Sequence, residues 1–320
     1  MSRRRVEVFS LPMSFRFRRV RHREGLLIWG EAGVGEFSPF VDYDADESAT
    51  WLAAALEAAD QGFPHPLRDR VPVNCTVPAV GPDQATAIAT GPHGCRTAKV
   101  KVAEPGQRLD DDMARVGAVR EALGRDGRVR IDANGGWTVE QAVDSIAHLA
   151  EFDLEYVEQP TATVEELAEV RRRVDVPIAA DESIRRAADP IRVKRLAAAD
   201  IAVLKVQPLG GVRVCLRLAE QIDLPVVVSS ALESSVGISA GVALAAALPD
   251  LPFACGLATA SMLAQDLAAE PMSPVDGHLA VRKVWPDDEL LRDARPDEAT
   301  ATRWLDRMAD CRRVLKDRAG

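Results

Sequence analysis

TAKVKV (97–102), VRIDAN (129–134), LEYVEQP (154–160), PIAADES (177–183) and IAVLKVQ (201–207) are five short apolar runs, each closed by charge. The charges are Lys99 with Lys101, then Asp132, Glu158, Asp181 and Lys205. From Lys101 the successive steps are 31, 26, 23 and 24 residues. A strand, a loop, a helix and a return loop consume about that much chain, so the spacing predicts a βα repeat. Parallel strands with polar residues at their C-terminal ends predict a (β/α) barrel with its working site on that face.

Outward from this stretch, the barrel is expected to begin at VPVNCTVPAV (71–80), a continuous apolar run of the kind found in strands buried on both faces. Further strands are expected at 128–132, 154–158, 177–180, 201–205, 224–230 and 253–259, eight in all with 71–80 and 97–102. Helices are expected at 82–89, 109–123, 139–152 with Thr138 as cap, 164–174, 190–198, 212–222 and 234–248. Residues 1–72 read as a smaller α+β unit. VEVFSLPM and RFRRVRHREGLLIWGEA alternate as a hairpin does, GEFSPFVDY reads as a loop, and ADESATWLAAALEAADQ as a helix capped by Ser48 or Asp46. This unit has little core of its own and should pack over the barrel. The segment 264–320, with a strand at 278–284 and a charged helix from Asp297, is expected to return to it, leaving 73–263 as the barrel domain.

Composition narrows the class. The 320 residues are 47% hydrophobic and 28% charged, ordinary for a globular enzyme. The net charge of −9 argues against a nucleic-acid partner. Arg3 to Arg5 and Arg16 to Arg23 are basic, but they alternate with Val, Phe and Leu and read as a solvated strand face. Cys75, Cys95, Cys215, Cys255 and Cys311 form no CxxC, which predicts buried thiols in a reducing cytoplasm. No apolar run reaches the ~18 residues of a membrane span and no signal-peptide pattern opens the sequence, so a cytoplasmic protein without a membrane partner is expected. The oligomeric state is left at monomer or small homo-oligomer.

Side chains two apart in a strand share a face. Lys99 with Lys101, Arg130 with Asp132, and Tyr156 with Glu158 are therefore expected to point into the barrel mouth. Three carboxylates on neighbouring strand ends repel unless a cation lies between them, and hard oxygen ligands favour Mg²⁺. Any one of Asp132, Glu158 and Asp181 alone reads as a cap or surface residue; all three at repeat spacing read as metal ligands. A lone lysine is ordinarily a solvated cation. Beside a second lysine and a divalent cation an ammonium loses its proton more readily, which makes Lys101 a candidate general base. Lys99, Arg130 and Asn134 are candidate substrate contacts, although Asn134 reads equally as an ordinary loop asparagine.

The KxK at 99–101, RIDAN at 130–134, EQP at 158–160, ADES at 180–183 and LKVQPLGG at 204–211 resemble the enolase superfamily, and within it the muconate lactonizing subgroup. The likeness covers nearly the whole chain, since that family pairs a (β/α) barrel with an α+β capping domain. It implies Mg²⁺ on Asp132, Glu158 and Asp181, with Lys101 and Lys205 as catalytic residues on opposite sides of a small carboxylate substrate. The shared step is removal of a proton α to a carboxylate, with Mg²⁺ and Lys99 stabilising the enediolate charge. Such sites are themselves a standard example of a Lys or His base working with Mg²⁺.

Gly256-Leu257-Ala258 stands where dipeptide epimerases of the subgroup carry an Asp-x-Asp, so that ammonium anchor is missing. VSSALESSVGI (228–238) resembles the strand-seven loop of the o-succinylbenzoate synthase family, particularly its compact actinobacterial type. This likeness implies syn dehydration of a succinyl-hydroxycyclohexadiene carboxylate, with Ser229, Ser230 and free N–H groups of the next helix holding the succinyl carboxylate. SSALESS also reads as a Ser-rich turn and helix cap. N-succinylamino-acid racemisation by the same two lysines is the main competing activity. A non-catalytic ligand-binding barrel has no need of opposed lysines around an acidic triad. GEAGVGEFSPF (30–40) reads either as a lid over the mouth or as a hairpin connection packing Phe37 and Phe40 into the cap core.

Overall fold

The computed structural model describes residues 4–17, 20–186 and 189–319. β1 (Val6–Phe17) and β2 (Val20–Trp29) form the expected antiparallel hairpin, with Val6 opposite Ile28 and Pro12 opposite His22. The stretch read as a loop holds a third strand, β3 (Val34–Phe37), antiparallel to β2. Gly35 explains it. A Cβ there would lie 1.9 Å from the Ala55 carbonyl oxygen, so β3 runs directly against the backbone of α1 (Ala45–Asp60). Asp44 caps α1 by accepting from the Glu47 N–H, in place of the expected Ser48 or Asp46; Ser48 is buried and bonded to Arg307.

The first expected barrel strand, 71–80, divides in two. β4 (Arg70–Pro72) pairs antiparallel with His278–Ala280 of the tail, and β5 (Cys75–Val77) opens the barrel. Between them Val73 N–H donates to Gly277 and Asn74 N–H to Cys255, so the chain crosses from one sheet to the other. Strands and helices then alternate as expected: α2 (Pro82–Ala89), β6 (Thr97–Lys101), α3 (Leu109–Leu123), β7 (Arg128–Asp132), α4 (Val139–Leu149), β8 (Leu154–Glu158), α5 (Val164–Arg173) and β9 (Ile178–Ala180). Thr138 caps α4 in a reciprocal box with Gln141. After β9 come the short α6 (Glu182–Arg185) and α7 (Arg192–Arg195). The helix expected at 190–198 is cut short, and Ala197, at φ 47°, leaves helical geometry. β10 (Ile201–Leu204), α8 (Val206–Leu209), α9 (Val212–Ile222), β11 (Val226–Val228) and α10 (Ser235–Ala247) complete the series.

β5 to β11 lie side by side in chain order as one parallel sheet. The expected eighth strand is reduced to two bridges, Cys255 to Val73 and Gly256 to Ser229, which join β11 back to the chain entering β5. That segment passes close: a Cβ on Gly256 would meet Ser229 Oγ at 2.6 Å. Tyr156, Ala179, Ile201, Val203 and Val227, with Phe253, fill the barrel interior.

The tail, β12 (His278–Ala280), α11 (Asp288–Asp293) and α12 (Glu298–Ala319), returns over the N-terminal sheet. Trp304, Met308 and Cys311 of α12 share a separate core with Leu26, Phe37, Trp51 and Leu52. Two acids of this cap reach the barrel and serve its helix N-termini. Glu57 accepts from Arg213 N–H at the start of α9, and Glu36 from Ser234 and Gly237 N–H at the start of α10. α10 is apolar on every side and is buried between barrel and cap.

All five cysteines are buried free thiols. Among the described residues no helix is long and apolar enough to cross a membrane. Of the basic N-terminal stretch, Arg3, Arg18 and Arg19 lie outside the described residues. Arg4 and Arg5 pair with Asp60 and Asp288. Arg23 departs from the solvated face expected of it: it is buried, with main-chain carbonyls as partners.

Candidate active site

Strand register brings the charges to one level. Lys101 lies opposite Asp132, and Asp132 opposite Glu158, across β6, β7 and β8; Asp181 follows β9 and Lys205 follows β10. Lys99 Nζ donates to both oxygens of Glu158 at 3.0 and 2.9 Å and stands 3.5 Å from Asp132 Oδ2. Lys101 Nζ donates to Asp132 and, at 2.9 Å, to Asn134 Oδ1. Asn134 takes a left-handed φ of 49°, which asparagine tolerates, and its N–H donates to Asp132 Oδ1 at 3.0 Å. Lys205 Nζ donates to Asp181 Oδ2 at 2.6 Å. β6 and β10 are across the ring from each other, with β7, β8 and β9 between them on one side. Lys101 and Lys205 therefore enter from opposite walls, and with Lys99, Ser229 and Ser230 they line one narrow cavity.

Asp132, Glu158 and Asp181 are at most 1% exposed. Burial, and next the Asp132 charge, push the Glu158 carboxyl up to about 7. Burial opposes the Asp181 charge too, but Arg185 and Lys205 outweigh it and hold that carboxyl below the usual range. Burial also works against the Lys99 ammonium, yet Glu158 and Asp132 raise its pKa overall. Among the described residues no three acidic, His or Cys side chains converge as a ready ligand set. Lys99 bridges Glu158 and Asp132, while Lys101 is bonded to Asp132 and Lys205 to Asp181. The donor chemistry still fits a hard divalent cation, because three buried carboxylates lie on neighbouring strand ends.

Two further residues complete the geometry: Gln159, which the EQP motif contains but to which the sequence reading assigned no role, and Arg185, which lies just beyond ADES and was not singled out. Gln159 adopts φ 40°, its Oε1 accepting from Asp181 N–H at 3.0 Å and Ser183 N–H at 3.1 Å, which aims the Asp181 turn. Arg185 donates to Asp181 Oδ1 at 2.9 Å and to the Tyr43 hydroxyl of the cap at 2.8 Å. Its signal was the i, i+4 spacing in DESIR.

Other candidates are placed differently. Ser230 Oγ lies 2.6 Å from Thr259 Oγ1, and Ser229 Oγ 3.5 Å from the Gly256 carbonyl. The N–H groups expected to be free at the start of α10 are taken: Glu36 holds those of Ser234 and Gly237, Asp266 that of Ser235, and Ser234 Oγ that of Val236. A buried helix start cannot leave its donors open. Arg130 is not brought to the cavity. Two residues earlier in β7 it lies about 7 Å deeper, where it donates to Ala254 O at 2.6 Å and to Tyr156 and Asn74. Tyr156 shares that lower layer and not the mouth. In the 30–40 stretch, Phe37 packs edge-on to Trp304 at 6.0 Å in the cap core. Phe40 meets Tyr43 and Trp51 and also borders the cavity.

The comparisons agree with this architecture. The profile described as enolase C-terminal domain-like matches residues 83–289, and that described as enolase N-terminal domain-like matches 8–59. The chain is 60% identical to the o-succinylbenzoate synthase of Thermobifida fusca (strain YX), over 95% of each chain. It is 56% identical to the o-succinylbenzoate synthase of Mycolicibacterium smegmatis, over 97% of this chain and 96% of that one. Among solved structures, the muconate lactonizing enzyme of Pseudomonas fluorescens, complexed with muconolactone, superposes with a TM-score of 0.81 at 23% identity, covering 92% of this chain and 98% of that one. The N-succinyl Arg/Lys racemase of Bacillus cereus superposes with a TM-score of 0.75 at 18% identity, covering 91% and 97%. At these identities the two structures speak for the fold alone.

Proposed function

The chain belongs to the enolase superfamily, among its o-succinylbenzoate synthases, and on that premise we propose that it dehydrates 2-succinyl-6-hydroxy-2,4-cyclohexadiene-1-carboxylate to 2-succinylbenzoate for menaquinone synthesis. The observation that carries the reading is the pair of lysines on opposite strands of one ring, facing a single cavity beside three buried carboxylates. Enzymes of this superfamily use a divalent metal. Here we assign it as Mg²⁺, held by Asp132, Glu158 and Asp181. When bound, it supplies Lewis-acid stabilisation of the enediolate charge.

The side chains divide the remaining work. Lys101, oriented by Asp132 and Asn134, takes the proton α to the carboxylate. In a syn elimination the hydroxide leaves from the same face, so the protonated Lys101 is placed to donate to it. Lys205, kept beside Asp181, stays cationic over the opposite face of the ring and offsets charge that develops there. Lys99 brings positive charge to the substrate carboxylate. Ser229 and Ser230 meet the succinyl carboxylate. Aromatisation draws the product forward.

The partner is a small dicarboxylate, with no nucleic acid or membrane. The working unit is a monomer or small homo-oligomer in the cytoplasm, where buried thiols stay reduced. The catalytic domain is taken as 73–263, and the cap as 1–72 with 264–320 returning to it. The opposed lysines also suit a two-base racemisation of N-succinylamino acids.

Absorbance of the cyclohexadiene tests the assignment. Its loss should require Mg²⁺, stop with EDTA, and fall by about 10³-fold or more in Lys101→Ala. A folded, metal-loaded protein that leaves the diene intact but exchanges the α proton of succinylamino acids for deuterium is a racemase instead.

A further inference from the structure

Arg23 is only 3% exposed, although it lies in the half of β2 that alternates with solvent-facing residues. Its guanidinium reaches three main-chain carbonyls. Nε donates to Leu232 O at 2.9 Å, and Nη2 to Ser38 O at 2.6 Å and to Ala231 O at 3.3 Å. The guanidinium also stands over the Phe40 ring, 4.5 Å from its centroid. Phe40, Ala231 and Leu232 all line the lysine cavity, next to Ser229 and Ser230. One cap side chain thus ties together the two segments, one from each domain, that wall the cavity on its serine side.

The barrel segment needs such a tie. Leu232 has a φ of 67°, a left-handed conformation that a side chain of its size rarely adopts. It is held from two directions. Arg23 grips the carbonyls of Ala231 and Leu232, while the Glu233 carboxylate accepts from Ala231 N–H with both oxygens, at 3.0 and 2.9 Å. Glu233 and Ser38 are themselves buried, so neither grip competes with water. Ser38 in turn donates to Glu36, at 2.7 Å, which is the acid seated at the start of α10.

We propose that Arg23 is a positioning residue that sets the cavity wall at Ala231–Leu232, and with it the fit of the substrate carboxylate remote from the reacting carbon. This rests on the synthase reading, in which Ser229 and Ser230 meet that carboxylate. The remote carboxylate keeps its charge throughout the reaction, so contacts to it are equal in ground and transition states. A disturbed wall therefore raises KM and leaves kcat nearly unchanged. A merely structural role would instead lower the active fraction, and so the apparent kcat, at constant KM.

Arg23→Lys keeps the charge but loses the planar fork that reaches several carbonyls at once. Glu233→Gln keeps the side-chain shape but loses one of the two acceptors facing Ala231 N–H, loosening the second grip on the segment with Arg23 intact. Both should raise KM for the cyclohexadiene about tenfold, with kcat within about threefold of wild type, in protein shown by circular dichroism to be folded. Wild-type turnover tests the synthase reading separately: without it that reading falls, and this proposal with it. With wild-type turnover present, a folded Arg23→Lys whose KM stays within about twofold overturns the positioning role, as does a fall in kcat at constant KM. If Arg23→Lys does not fold, Glu233→Gln decides, and an unchanged KM there overturns the proposal.

Discussion

Glu36 shows how far a single side chain can depart from its sequence context. It reads as a polar residue in a glycine-rich connection, yet it is buried and accepts from Ser38 Oγ, Ser234 Oγ and the N–H groups of Ser234 and Gly237. Burial outweighs those bonds and pushes its carboxyl up to about 7, with Glu233 and Arg23 as charged neighbours acting in opposite directions. The folded chain therefore holds this proton more tightly than the unfolded chain, whose carboxyl titrates at its ordinary 4.5. By linkage the contribution is fully present below that lower value and is lost as pH rises through about 7. In urea unfolding at fixed metal, the stability of wild type relative to Glu36→Gln should fall by roughly 2–4 kcal/mol from pH 4.5 to 7.5. A difference independent of pH would mean that Glu36 titrates normally. By contrast Lys99, Lys101, Asp132, Glu158, Asp181 and Lys205 were legible as a set, because each alone reads as a cap or a solvated charge and only their repeat spacing singles them out. Arg23 and Glu36 carried no such signal, since their partners lie some 200 residues away in sequence.

At the scale of elements, the barrel helices and strands follow their patterns, and the departures occur where packing replaces pattern. β3 forms from VGEF, which has no strand period, because β2 offers an open edge and α1 a backbone that a glycine can approach. Gly35→Ala should cost about 1–3 kcal/mol or more in denaturant unfolding, as overpacking against backbone does. A variant of wild-type stability would mean that α1 yields freely. The run at 71–80 breaks because its middle must satisfy two sheets, pairing toward β12 on one side and the closing 255–256 segment on the other. Periodicity cannot announce that division. Arg130 is the comparable case within β7: face was predictable, depth was not, and depth separates a residue of the mouth from one of the interior.

For the whole molecule, the two domains are joined by a shared apolar core, in which Phe9, Leu11, Leu27 and Val34 of the cap pack with the barrel, and by charge placed at helix ends. Glu57 and Glu36 of the cap sit at the starts of α9 and α10, while Tyr43 meets Arg185 beside Asp181. The cap core is itself completed from the far end of the chain by Trp304, Met308 and Cys311. Deleting residues 298–320 should therefore lower Tm markedly and abolish turnover, although every barrel residue remains. Wild-type kcat/KM in the truncated chain would show that the cap closes without α12.

Local order was written in the chain: spacing of charged strand ends, the 3.6 and 2.0 periods, the helix cap at Thr138 and the motifs at 99–101, 130–134, 158–160, 180–183 and 204–211. These depend on neighbours within a few residues or on one regular repeat, so they survive reading in one dimension. Contacts without a repeat did not survive it. The capture of the α10 N–H groups by Glu36 and Asp266, the burial of Arg23 against Leu232, and the reduction of the eighth strand to two bridges each join segments distant in sequence. Burial there must be matched by a partner, and which partner is near enough is settled only when the barrel and the cap have closed on each other.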